Sequence, residues 1–407
     1  MNRKRTLIEW LQQPDNNFCA MPFVHMAIEA NGGVRPCCMA DPLDTQIQKN
    51  SIGELQHDQQ RIQMQQQFIE NKQFPNCSIC WKDKSEFSPR ITFSTSVPAI
   101  EFTYQIMQGA TPKNELTWLE IKPGNRCNLK CRICGVHNSS SWAKDNYKVQ
   151  GTTKPYKQTE TYQWQKQCEW VDEDDQWLDV SGLEKIKHIH VMGGEPFMIT
   201  RQFEFLQRFA DTYDVSDVQL WYNTNGTLAI PEQYTDLLDS MGSVFITVSI
   251  DDIEERYNYQ RHGVAWEQAR YTVNQLFDLN TKQNYRVQLD PTVSIYNVLY
   301  LNQFVEYCSE HNWHLPHNHS HYVNNTNFNN IRTLRTDQKQ KIIQVLSQCE
   351  HSNHSLVRST IDFIQTDQWS EQLEIDRIDT IKKLDAIRNE NLAQTFPELN
   401  RILEIYS

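Results

Sequence analysis

What the chain lacks bounds it first. No apolar run approaches the roughly 18 residues that a membrane-spanning helix needs, so no membrane span is expected. It has no excess of positive charge: 39 Lys and Arg stand against 51 Asp and Glu, a net charge of −12, with a pI of about 5.6. General nucleic-acid binders and anionic-membrane binders carry a basic face, so neither class is expected. The start Met1-Asn2-Arg3-Lys4-Arg5 is basic, but the following Thr6 to Gln13 is too short and polar for the core of an export signal. The expected location is therefore cytoplasmic. Without export, the 11 cysteines, an odd number, argue for metal binding over a disulfide framework. At 407 residues there is room for two or three domains, each with its own core.

The cysteines are grouped. Cys127, Cys131 and Cys134 stand at C-x3-C-x2-C spacing. Soft thiolates at such spacing hold iron–sulfur clusters or zinc. A structural zinc site needs a fourth ligand close by, and the next cysteine is Cys168, in a polar, Trp-rich segment and read as a bystander. Three thiolates on a four-iron cluster leave one iron open to a small molecule. Upstream, residues 24 to 28 alternate apolar and polar, Asn31-Gly32-Gly33 is a turn, and Val34-Arg35-Pro36 begins a return strand. This hairpin would bring Cys19 close to Cys37 and Cys38. Ser51-Ile52-Gly53-Glu54 reads as a capping box opening one amphipathic helix over 51 to 71, with Leu55, Ile62 and Ile69 as its core face. Cys77 and Cys80 follow as a C-x2-C knuckle. On spacing, this second thiolate group suits a fully ligated four-iron cluster or zinc.

Downstream the chain alternates strands and helices. Strands are expected at 116–122, 188–192, 218–222, 244–250 and 286–289, with a sixth near 313–322. Apolar residues at helical spacing lie between them, in 203–213, 266–277 and 301–308, the last holding Cys308 in its core face. That rhythm implies a parallel sheet with right-handed crossovers, in too few units for a closed eight-fold barrel. Polar residues end the strands: Gly193-Gly194-Glu195-Pro196, Thr224, Asn225, Ser249, Asp251, Asp290 and Thr292. His317, His319 and His321 read as a polar strand end rather than metal ligands. Residues 135–182 look like an insertion near the site. Residues 326–407 read as helices for packing or dimerisation.

The pairing of the cysteine triplet with Gly193-Gly194-Glu195-Pro196 resembles the radical S-adenosylmethionine (radical SAM) superfamily. The order Cys19, Gly33, Cys38, then Cys77 and Cys80, resembles the Twitch and SPASM extensions of such enzymes, which carry auxiliary four-iron clusters. Here that extension precedes the barrel. The resemblance implies an α/β fold: an open six-unit (β/α)6 partial TIM barrel over 111–325, a Twitch-like cysteine-rich hairpin and helix domain over 1–110, and a helical region over 326–407. It implies that Cys127, Cys131 and Cys134 hold a [4Fe-4S] cluster on which S-adenosylmethionine is cleaved to a 5′-deoxyadenosyl radical that abstracts hydrogen from a substrate. Gly193, Gly194, Glu195 and Pro196 would hold the amino group of S-adenosylmethionine. Ser249 and Asp251 would contact its ribose and methionine parts, and Thr224 and Asn225 would frame the same site. Arg261 would reach its carboxylate. Cys19, Cys38, Cys77 and Cys80 would hold the auxiliary [4Fe-4S] cluster. The pattern leaves Cys37 or Cys38 open, and the Gly33-x4-Cys38 spacing favours Cys38. The family's aromatic residue before the last cysteine is Ile133 here. The substrate implied is a peptide, with a sugar or small molecule as the alternative, and the partner is an electron donor such as a flavodoxin or ferredoxin. A non-enzymatic metal-binding assembly protein is the competing class, and Gly193-Gly194-Glu195-Pro196 counts against it.

Overall fold

The computed structural model describes residues 3–83, 85–316, 321–323 and 327–406. The chain divides into two compact units, each built from separated stretches. The first comprises Met1–Asn125, Trp164–Tyr222 and Pro231–Phe245; the second comprises Arg126–Gln163, Asn223–Ile230 and Ile246–Ser407. No helix among the described residues is long and apolar enough to cross a membrane.

The first unit is an α/β layer. Its strands are β1 (His25–Ile28), β2 (Val34–Arg35), β3 (Trp118–Ile121), β4 (His188–Val191), and the leading parts of β5 (Gln219–Thr224) and β6 (Ser243–Val248), in the order β2-β1-β3-β4-β5-β6. The hairpin forms as expected, with Ala27 opposite Arg35. It is not a separate sheet: β1 pairs parallel with β3, β3 with β4, and β4 with β5. Alternation sets the two faces. Ile189 and Val191 are buried while His188 and His190 are half-buried. Behind the apolar face runs the helix Arg201–Thr212, burying Phe203, Phe205, Leu206 and Phe209. Phe203 packs on Tyr222, whose hydroxyl donates to Gln202 Oε1 at 2.8 Å. Each such side chain contributes about 1.5–3 kcal/mol by burial. Trp170 and Trp177 complete this core, meeting edge-on at 5.3 Å, with Trp177 stacked on Phe205. Those tryptophans of the supposed insertion are core residues.

The helix expected over 51–71 is two helices, Ile52–Leu55 and Gln59–Ile69. The capping box forms, Glu54 N–H donating to Ser51 Oγ at 3.2 Å and Ser51 N–H to Glu54 Oε2 at 2.8 Å. Asp58 then caps a new start, accepting from the Gln60 and Arg61 amides. The restart changes the phase, so Arg61, Met64, Gln65 and Phe68 are buried, and Ile62 and Ile69 are exposed.

In the second unit β7 (Tyr285–Leu289) follows β6, Asp290 N–H donating to the Val248 carbonyl. The sixth strand is fragmentary. Leu289 N–H reaches the His314 carbonyl, and β8 (Thr292–Val293) pairs parallel with β9 (His321–Tyr322). His317 and His319 lie outside the described residues, and His321 pairs with Asp290 at 3.3 Å. Cys308 is buried in the helix Leu301–Glu310, as its spacing predicts. The C-terminal region is helical, its longest element being Glu371–Arg388.

Candidate active site

The second unit gathers Cys127, Cys131 and Cys134 around the buried Leu129, with Val264 packed against them. The loop is held open by its neighbours. Lys130 N–H donates to the His262 carbonyl and Arg132 N–H to the Gln260 carbonyl, so the loop runs beside 260–262 like a strand. Gly263 permits that approach: a Cβ there would lie 2.5 Å from the Asn128 carbonyl, at a φ of +137°. The segment after the cysteines satisfies their carbonyls. Ser141 Oγ donates to Cys127 O and Ser139 Oγ to Leu129 O, both at 2.6 Å, and Trp142 Nε1 donates to Cys131 O at 2.9 Å.

Several expected site residues converge on these thiols. Asp251 and Arg261 form a buried ion pair at 2.7 Å, and Arg261 Nη1 lies 3.9 Å from Cys131 Sγ. The other Asp251 oxygen accepts the Thr292 amide, which fixes the carboxylate. Asn225 Nδ2 donates to Asn128 Oδ1 at 2.9 Å and approaches Cys127 Sγ at 3.7 Å. Asn128 in turn donates to Thr227 Oγ1. Thr224 accepts the Ser249 amide through its carbonyl and the Gly226 amide through its hydroxyl. Asn128, Thr227 and Gly263 were not singled out by sequence. Asn225-Gly226-Thr227 is the strand-end turn where a polar partner for the loop could have been sought.

Burial pushes the Cys131 thiol up, with Cys134 and Cys127 adding to it while Arg261 opposes, and pushes Cys134 up to about 11. Two buried thiols and one half-buried one that discourage each other's ionisation suit a shared metal cation beyond the single guanidinium beside Cys131. A metal cluster deprotonates its thiols outright, so these residues fit one.

In the first unit, Gly193 turns at a φ of +81°, where a Cβ would meet the Lys122 side chain at 2.7 Å. Glu195 is fully buried, and its carboxylate accepts the Phe197 amide at 3.1 Å, capping a short turn that begins with Pro196.

The same unit holds a second thiol site. Cys19, Cys37, Cys77 and Cys80 line one small cavity of about 20 Å³, with Phe68, Trp81 and Arg90 among its walls. Cys37 lines this cavity and Cys38, the residue expected there, does not; Cys38 faces Glu120 and Lys122 instead. The left-handed turn is at Gly32 (φ +84°), not Gly33, and Gly32-x4-Cys37 restores the expected spacing. Burial, then Cys37, pushes Cys19 up to about 12; burial pushes Cys37 up to about 11; and Cys77 is raised by burial with Cys19, Cys37 and Cys80 adding to it. Again the donor set fits a cluster. Among the described residues no three His, Cys, Asp or Glu side chains are arranged to hold a single metal ion.

Residues 121–292 match the family model of the radical SAM superfamily, and residues 19–81 match that of an iron–sulfur cluster-binding domain, SPASM. Among solved structures, native anSMEcpe with bound AdoMet is 19% identical, with 51% of this chain and 52% of that chain covered and a TM-score of 0.32. Streptococcus suis SuiB bound to S-adenosylmethionine is 14% identical, with 54% and 42% covered and a TM-score of 0.30. Streptococcus suis SuiB bound to precursor peptide SuiA is 12% identical, with 70% and 56% covered and a TM-score of 0.35. The chain spans about half the length of these proteins. No curated protein matches it.

Proposed function

Residues 121–292 form a radical SAM domain and residues 19–81 a SPASM iron–sulfur domain, and on that premise we propose that the chain is an enzyme in which Cys127, Cys131 and Cys134 hold a four-iron cluster with one open iron. The cofactors of these domains are S-adenosylmethionine, a [4Fe-4S] cluster and an auxiliary iron–sulfur cluster. The observation that carries the reading is the buried thiol triplet with the Asp251–Arg261 pair against Cys131. When bound, the cluster and S-adenosylmethionine supply a 5′-deoxyadenosyl radical that takes a hydrogen atom from the substrate.

The chain's own residues position and protect. Asp251 fixes the Arg261 guanidinium, whose remaining N–H groups suit the carboxylate of S-adenosylmethionine. Glu195 receives its ammonium, with Gly193 and Gly194 keeping side chains out of the way. Thr224, Asn225 and Ser249 frame its ribose and methionine parts. Burial of the thiols keeps water and stray hydrogen donors out. A peptide is the substrate class that fits the polar face of the first unit's sheet, where Glu120, His190 and the exposed Trp221 share a row and Lys122 pairs with Glu29 at 3.0 Å. A cytoplasmic flavodoxin or ferredoxin would supply the electron.

Glu195→Gln tests this reading. Glutamine keeps an acceptor for the Phe197 amide and removes the charge. Loss of a charged hydrogen bond of about 1.5–3 kcal/mol weakens S-adenosylmethionine binding roughly tenfold to a hundredfold, read by anaerobic calorimetry. Unchanged affinity removes Glu195 from the site.

We propose Cys19, Cys37, Cys77 and Cys80 as the auxiliary cluster's ligands, with Cys38 outside the set. Cys37→Ser then loses about four irons per chain and Cys38→Ser loses none, as expected of a cluster held by four cysteines. The reverse result returns the role to Cys38.

A further inference from the structure

We infer that Arg90 is the counter-charge of the auxiliary cluster and holds its reduction potential up through the guanidinium Nε–H. This rests on the proposal that Cys19, Cys37, Cys77 and Cys80 ligate that cluster.

Arg90 sits in the helix Pro89–Ser94, entered through the Ser88 cap. It is 8% exposed and lines the cavity with the four thiols. Its two terminal nitrogens are committed: Nη1 donates to Phe18 O and Nη2 to Leu11 O, both at 2.8 Å. Those bonds fix the plane of the guanidinium and with it the Nε–H. Nε is buried and has no hydrogen-bond partner among the described residues. No carboxylate pairs with Arg90 among the described residues; the acidic groups that act on it are the thiols of Cys19 and Cys80. A buried cation without a partner is costly, and the group that offsets it here is four thiolates around an iron–sulfur core, net negative and more so when reduced.

The rest of the cavity supports the same reading. The backbone amides of Arg90, of Met39 and Ala40, and of Met21 face Cys80, Cys37 and Cys19 respectively and favour their thiolate forms. Ser94 Oγ approaches Cys19 Sγ at 4.0 Å. Hydrogen bonds to cluster sulfurs and net local charge set reduction potentials. Arg90 supplies both, and the Trp81 ring 5.8 Å from its guanidinium carbon shields it from water.

The test uses the full chain carrying Cys127→Ala, Cys131→Ala and Cys134→Ala, so that only the auxiliary cluster is reduced and read by electron paramagnetic resonance. Iron per chain is measured on the same samples. With Arg90→Met added, the reduced-to-oxidised ratio at the parent midpoint falls about tenfold, equal to about 59 mV for one electron, with iron retained. Arg90→Lys keeps the charge but not the fixed Nε–H, and its midpoint falls between the two. An unchanged midpoint in iron-loaded Arg90→Met overturns the inference. If Arg90→Met loses its iron, the neutral Arg90→Gln, which can still donate to a backbone carbonyl, decides: a parental midpoint there means that Arg90 only braces Phe18 and Leu11, and overturns the inference. No iron in the triple variant itself sinks the auxiliary-cluster reading, and this inference with it.

Discussion

Replacing Arg132 by methionine costs about 3–5 kcal/mol of folding stability, the expected penalty for breaking a buried ion pair by removing one partner. Arg132 lies between Cys131 and Cys134, and its side chain is fully buried. It pairs with Asp385 at 2.6 Å and Glu390 at 2.5 Å, and its guanidinium lies 3.6 Å over the Tyr259 ring. Asp385 also accepts from Tyr259, Tyr406 and the Leu392 amide, and Glu390 meets His262 at 2.5 Å. Methionine fills the volume but leaves the buried Asp385 without its cation and the half-buried Glu390 with His262 alone. Lysine recovers little, because it neither stacks flat nor donates as a fork. Burial raises the Glu390 pKa, yet His262 and Arg132 hold it below the usual range. A lowered folded value means that its contribution is present above the ordinary glutamate range and is lost as pH falls through the folded one. Urea unfolding of both variants at neutral pH checks the prediction. A loss under about 1 kcal/mol for Arg132→Met would mean that the pairs are decorative.

That network also shows where sequence reading ran out. The C-terminal helices carry no motif, and their apolar spacing said only that they pack. What they pack against is the loop of the cysteine triplet: Arg132 reaches Asp385 and Glu390, while Asp145 links Lys130 to Arg388 at 2.9 Å each. Ion pairs between residues some 250 positions apart leave no local pattern. By contrast, the strands and the thiol groups were legible, because period-two alternation and ligand spacing are local properties. That Cys37 rather than Cys38 lines the first unit's thiol cavity goes with the left-handed turn falling at Gly32, and only the backbone reveals that. The single helix expected over 51–71 is two because Asp58 caps a restart in a new phase. The parallel pairing of β1 with β3 was hidden for the same reason as the C-terminal clamp: a hairpin's outer neighbour is set by non-local bonding.

The largest chemical effect belongs to the thiol triplet. Anaerobically reconstituted wild type holds about eight irons per chain, and the Cys127→Ala, Cys131→Ala, Cys134→Ala variant holds about four, as expected for one three-cysteine and one four-cysteine cluster. Release of 5′-deoxyadenosine from S-adenosylmethionine under reducing conditions falls to background in that variant, because the cluster that would bind S-adenosylmethionine and pass it an electron is gone. Folding should survive, since the loop is held from outside the thiols: by the Ser139, Ser141 and Trp142 side chains, by the 260–262 backbone, and by Arg132. The two measurements separate the two sites. About four irons in wild type and none in the variant would leave the auxiliary thiols without a cluster. No iron in either protein would end the radical reading. Eight irons in both would move the first cluster away from Cys127, Cys131 and Cys134, against the buried geometry that gathers them beside Arg261.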